Sequence, residues 1–150
     1  MPAMPQVFQQ HFVSDTSMSR ETLTGRLRVL IVDDHGPSAQ TLAKLLELWG
    51  FDAYVCQDGR EAVKCAEACR PDALLLDIML PRIDGLQLAR QFRDGDMLQH
   101  VTLIAITGLG DAAHRAQARE AGFAHHLLKP LIHAELHAIL RSLERTKSES

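Results

Sequence analysis

ALLLDIMLPRIDG, residues 73–85, holds an apolar run that stops at Asp77 and is followed by Ile78, Met79, Leu80 and Pro81, where the proline forbids a helix to continue. A carboxylate therefore stands where a strand becomes a loop, the place at which open α/β sheets carry their chemistry. Three further apolar runs end in the same way. LRVLIVDDHG finishes at Asp33 and Asp34, VTLIAI at Thr107 and Gly108, and HHLL at Lys129 and Pro130. In a parallel sheet all of these ends share one edge.

Between the runs lie stretches of helical period. Pro37 or Ser38 opens a helix with Leu42, Leu45, Leu46 and Trp49 on one face, closed by Gly50. FDAYVC reads as a strand, and Asp58 and Gly59 start a second helix with Ala62, Ala66 and Cys69 inward. Gly85 leads into a third helix carrying Leu88, Ala89 and Phe92. DAAHRAQAREAG forms a fourth, ending at Gly122, and a fifth starts near Ile132 with Leu136, Ile139, Leu140 and Leu143. Strands alternating with helices imply βαβ crossovers and an α/β fold around a parallel sheet. VLIV, ALLL and TLIAI are apolar throughout and suit central strands; DAYV and HHLL carry polar residues and suit edges. The flavodoxin-like (βα)5 arrangement with strand order 2-1-3-4-5 meets that condition, and its switch point between the first and third strands gathers Asp33, Asp34 and Asp77.

Three acids at one sheet edge repel, each close pair by roughly 4 kcal/mol at about 4 Å and an effective dielectric near 20. A hard divalent cation, Mg²⁺ by preference, would relieve this, since it takes one or two carboxylates and keeps several waters.

The ordered set of Asp33 and Asp34, Asp77, Thr107 and Lys129 resembles the receiver domain of bacterial response regulators, over residues 27–146. The resemblance implies that Asp77 accepts a phosphoryl group from a phosphohistidine on a sensor kinase or phosphotransfer protein. It implies Mg²⁺ held by Asp34, Asp77 and the main-chain carbonyl of Met79, with Asp33 acting through water. Lys129, before a Pro130 whose peptide bond receivers often hold cis, would neutralise the phosphoryl charge, and Thr107 would donate its hydroxyl and move as part of the switch. His126 stands where many receivers carry Tyr or Phe; it reads as an inward-turning switch residue or as a solvated edge histidine. His35 reads as a loop residue near the metal. Met79 and Leu109, apolar at the positions flanking the hydrolytic water, imply slow dephosphorylation. Such a domain catalyses only its own phosphorylation and dephosphorylation and signals through the face of its fourth helix, fifth strand and fifth helix, to a downstream protein, a phosphotransfer domain or a second copy. Two rivals share the chemistry or the topology. A haloacid-dehalogenase-type phosphohydrolase expects an acid where Met79 stands, and a flavodoxin-like flavin binder expects a less acidic first loop than DDHGPSAQ.

The chain's 150 residues, 46% hydrophobic, suit one domain. A net charge of -3 and a pI near 6.2 supply no basic field for nucleic acid. No run of about 20 apolar residues or signal-like N-terminus directs it to a membrane, so a cytoplasmic location is expected. Residues 1–26 read as a flexible tail, 147–150 as a polar one. Cys56, Cys65 and Cys69 are odd in number and read as packing residues, although the i, i+4 spacing of Cys65 and Cys69 would also suit a shared metal or joint oxidation.

Overall fold

A computed structural model describes residues 25–78, 85–95, 99–108, 110 and 112–149. Most of the expected N-terminal tail, and with it Val7, Phe8, Phe12 and Val13, lies outside the described residues, as do Met79 and Leu109. Five parallel strands form one sheet in the order β2-β1-β3-β4-β5. They are β1 (Arg28–Val32), β2 (Asp52–Cys56), β3 (Ala73–Asp77), β4 (Thr102–Thr107) and β5 (Phe123–Leu128). Alternating with them are α1 (Gly36–Leu48), α2 (Ala62–Cys69), α3 (Gly85–Asp94), α4 (Ala112–Ala121) and α5 (His133–Glu149). This is the flavodoxin-like order expected from the apolar central runs.

Both faces of the sheet are covered. Leu30, Ile31, Leu74, Leu75, Leu76 and Ile104 are all but fully buried, each worth roughly 1.5–3 kcal/mol over its exposed state. They pack against Ala39, Ala43 and Leu46 of α1, Ala62, Cys65 and Ala66 of α2, Leu88, Ala89 and Phe92 of α3, and Leu136 and Leu140 of α5. The apolar period of each helix thus falls on its sheet-facing side.

The structure refines the helix boundaries at four places. Helix α1 begins at Gly36, with His35 as its cap: the imidazole Nδ1 accepts the Ser38 N–H at 3.2 Å and lies 2.6 Å from Ser38 Oγ. His35 is therefore a structural cap as well as a loop residue. The second helical stretch opens as a single 3-10 turn over Gly59–Glu61, capped by Asp58, whose Oδ1 accepts the Arg60 N–H at 2.9 Å. It closes on Arg70 in the left-handed region (φ 48°), a conformation that usually calls for glycine. Helix α5 continues to Glu149, beyond the expected end at 146, because the Lys147 ammonium is held by Asp72 Oδ2 (2.8 Å) and the Arg26 carbonyl (2.7 Å).

Cys56, Cys65 and Cys69 are free thiols buried between β2 and α2. Cys65, hydrogen-bonded to Cys56 and buried, is pushed well above the ordinary thiol range. Among the described residues no group of three or more His, Cys, Asp or Glu is arranged to hold a metal. The burial of all three agrees with their reading as packing residues.

Candidate functional site

The strand registers bring the sequence-selected residues to one edge. Val32 is level with Leu76, Asp77 with Ile106, and Thr107 with Leu128, so Asp33, Asp77, Thr107 and Lys129 emerge side by side as the chain leaves β1, β3, β4 and β5. Beyond β3, the Ile78 N–H donates to the Ile106 carbonyl at 3.2 Å, holding the departing loop against β4. Gly85 is required there: a Cβ on it would lie 2.8 Å from Ile78 Cα.

Lys129 turns inward onto the acid. Its Nζ lies 2.5 Å from Asp77 Oδ2, the Asp77 side chain being 13% exposed and that of Lys129 51%. The Lys129 N–H donates to the Thr107 carbonyl at 2.9 Å, and the Lys129–Pro130 peptide is cis. Thr107 is fully buried at the end of β4. Its backbone is thus tied directly to that of the residue whose ammonium touches Asp77. Gly108 borders open space, with nothing within 4 Å of an added Cβ.

On the other side of Asp77, the Asp33 N–H donates to the Cys56 carbonyl at 3.1 Å, and Asp33 Oδ1 accepts the His35 N–H at 2.9 Å. Asp33 is half-buried and Asp34 exposed. Three carboxylates thus stand at neighbouring strand ends, and one ammonium contacts one of them. The donor set fits a hard cation. Hydrated Mg²⁺ requires only one or two carboxylates, and Asp33, Asp34 and Asp77 supply them at neighbouring strand ends. The carbonyl assigned to Met79 falls outside them. A cleft of about 550 Å³ opens beside Asp33 and Lys129, between α1 and the start of α5, with Pro37, Leu42, Leu45 and Leu131 among its walls.

His126 pairs in register with Ala105, two residues before Thr107. Both its ring nitrogens are shut from solvent and have no hydrogen-bond partner among the described residues, so it is not a solvated edge histidine. Burial, followed by the nearby charges of Arg115 and His114, holds its proton affinity below the ordinary histidine value; burial alone does the same to His125. Sequence reading passed over what lies behind these rings, a second cavity of about 360 Å³ between α4 and β5 lined by Arg115 and Arg119. The signal was present in the i, i+4 arginines of HRAQAR and the adjoining HH.

The described helices include none long and apolar enough to cross a membrane. The model of the response regulator receiver domain family matches residues 29–141. Response regulator MprA of Mycolicibacterium vanbaalenii is 38% identical over 120 residues, which cover 79% of this chain and 51% of that protein. For MprA of Mycobacterium avium the identity is again 38%, over 125 residues, 82% of this chain and 54% of that protein. The chain thus spans about half the length of these relatives. Among solved structures, the receiver domain of Francisella response regulator 1452 superposes with a TM-score of 0.74 at 26% identity, covering 81% of this chain and 98% of that one. The CheY-like receiver domain from Methylobacillus flagellatus gives 0.68 at 33% identity, covering 79% and 98%. A third, the signal receiver domain of a Syntrophus aciditrophicus histidine kinase, gives 0.71 at 28% identity, covering 79% and 90%. With a family model spanning most of the chain, relatives of this identity and a sheet whose carboxyl edge pairs Lys129 with Asp77, this chain belongs to the response regulator receiver domain family.

Proposed function

We propose that Asp77 is the phosphoacceptor of a two-component or phosphorelay system. A carboxylate oxygen of Asp77 attacks the phosphorus of a phosphohistidine on a sensor histidine kinase or a histidine phosphotransfer protein. The P–N bond breaks, the imidazole leaves with the electron pair and takes up a proton, and an acyl phosphate remains on Asp77. The observation that carries this reading is the Lys129 ammonium against Asp77 Oδ2 at the sheet's carboxyl edge. Phosphoryl transfer requires charge neutralisation and alignment more than covalent assistance. Mg²⁺, bound by Asp34 and Asp77 with the Met79 carbonyl and reached by Asp33 through water, would neutralise the incoming phosphoryl oxygens. Thr107 donates its hydroxyl to a phosphoryl oxygen, and Lys129, tied to Thr107 through the backbone, follows its movement.

The output is a change at the face of α4, β5 and α5, read by a downstream protein, by a phosphotransfer domain or by a second copy of this chain. His126 is the switch side chain on that face. The domain acts on no substrate besides its own phosphoryl group, binds no nucleic acid directly and works in the cytoplasm. Its membership of the receiver family replaces the phosphohydrolase and flavin-binder alternatives.

Incubation with acetyl phosphate and Mg²⁺ tests the chemistry. Intact mass should rise by one phosphoryl group, and the increase should vanish in Asp77→Asn and on chelation of the metal. An unchanged wild-type mass, or an adduct that survives in Asp77→Asn, overturns the assignment. Because Met79 and Leu109 carry no group to orient a water, the phosphorylated form should persist for hours, and decay within seconds would contradict that assignment.

A further inference from the structure

Three thiols take no part in the phosphoryl chemistry, and two of them are in contact. Cys56 ends β2 and Cys65 lies on α2, and neither is more than 1% exposed. Their thiols are hydrogen-bonded to each other, and Cys56 Sγ also donates to the Asp58 carbonyl at 3.1 Å. Spacing along the sequence pairs Cys65 with Cys69; the fold sets Cys65 against Cys56 on a different element. The chain between the two is short and near the surface, with Asp58 half-buried and Arg60 and Glu61 exposed on the 3-10 turn. The Asp58 carbonyl that accepts the thiol also closes this turn by accepting the Glu61 N–H at 2.9 Å. Short exposed segments open locally without global unfolding, so a water-sized oxidant reaches the sulfurs when the turn opens.

We infer that Cys56 and Cys65 form a redox site, a dithiol that hydrogen peroxide converts into an intramolecular disulfide. One sulfur, as its thiolate, attacks a peroxide oxygen. The O–O bond breaks, hydroxide leaves and takes up the proton released by that thiol, and a sulfenic acid and one water result. The second thiol attacks the sulfenic sulfur, the S–S bond forms as the S–O bond breaks, and the departing hydroxide takes the second thiol's proton as a second water. Two electrons pass from the sulfurs to the peroxide oxygens. A buried thiol standing alone is inert; here the resolving thiol is already in contact, so the sulfenic acid is captured before it oxidises further. The Cys56 carbonyl accepts the Asp33 N–H at 3.1 Å. Closing the sulfurs from hydrogen-bonding to bonding distance draws β2 toward α2 and shifts this anchor, so oxidation is felt at the acid edge. That consequence rests on the receiver chemistry proposed above.

The full-length protein is treated with hydrogen peroxide, once folded and once in urea, and digested with trypsin without reductant. Trypsin cuts after Arg60 and Lys64, between Cys56 and Cys65, and leaves Cys65 and Cys69 on one peptide. A Cys56–Cys65 bond therefore joins two peptides and a Cys65–Cys69 bond joins none. From the folded protein the joined pair is expected, lighter by two hydrogens than its separate peptides and released by dithiothreitol. Cys65→Ala should abolish it and Cys69→Ala should retain it. Fragmentation of the wild-type pair assigns the same sulfurs should either variant fail to fold. A joined pair seen only in urea, oxygen retained on the cysteines in place of a bond, or a bond to Cys69 overturns the redox site. The oxidised protein should accept a phosphoryl group from acetyl phosphate and Mg²⁺ severalfold more slowly than the reduced one, and equal rates overturn the link to Asp33. The peptide map involves neither Asp77 nor Mg²⁺, so a wild-type mass that never rises with acetyl phosphate defeats the phosphoacceptor reading and leaves the redox site standing.

Discussion

Strand β3 has an aspartate–lysine pair at each end, and the two pairs are built differently. At the amino edge, Asp72 Oδ2 accepts both the Arg28 N–H and the Lys147 ammonium at 2.8 Å, and Lys147 also reaches the Arg26 carbonyl. The Asp72 N–H donates to the Arg28 carbonyl, and its carbonyl accepts the Thr102 N–H. Four segments of chain are sewn together there, and replacing either charge would leave backbone groups without partners. At the carboxyl edge, by contrast, Lys129 reaches Asp77 from a half-exposed position beside a cleft, with Asp33 and Asp34 next to it. One pair holds the β1–β3–α5 corner closed; the other is an ion contact that an incoming phosphoryl group can replace. The difference separates a structural ion pair from a functional one without appeal to strength.

The sharpest way to break this comparison is to remove one member of each pair in turn. Lys129→Ala should slow phosphorylation by acetyl phosphate about a hundredfold, the usual cost of losing one group that stabilises charge in the transition state. It should leave thermal stability nearly unchanged, because an ion pair with a half-exposed partner contributes about 0–1 kcal/mol. If the melting temperature collapses while the phosphorylation rate persists, the assignment of the two ends is reversed.

Asp72→Ala should do the opposite. It deprives the Arg28 N–H and the Lys147 ammonium of their acceptor together, a loss of about 1–3 kcal/mol, read as a lower urea midpoint. Phosphorylation of Asp77 should proceed at the wild-type rate. A variant that is as stable as wild type would mean that water replaces the carboxylate at this corner without cost.

The carboxyl-edge pair was legible in the sequence and the amino-edge pair was not, for a physical reason. Asp77, Thr107 and Lys129 each terminate an apolar run, and a parallel sheet converts such endings into neighbours. Asp72 and Lys147 are 75 residues apart, and no period or strand ending marks Lys147, so its partner depends on where α5 crosses the sheet's far edge. The His35 cap was hidden because it relies on a ring nitrogen as acceptor, in place of the serine or aspartate that marks most helix starts. The left-handed Arg70 was hidden because no glycine announces it. The α4–β5 cavity was half legible: the arginines and histidines are visible as residues, but that they line one cavity follows only from packing α4 on β5.

The smallest expected effect concerns the carboxyl-edge half alone. His125 and His126 are held below the ordinary histidine value by burial, His126 also by the positive charges of Arg115 and His114. The folded state therefore refuses protons that the unfolded chain accepts. Their contribution to stability is fully present above the unfolded value of about 6.5 and is lost as pH falls from there through the lower folded values. Melting temperature should decline between pH 7.5 and pH 5.5, and His126→Gln should flatten that decline, since glutamine fills a similar space without gaining a charge. An undiminished slope in the variant would place the proton uptake elsewhere.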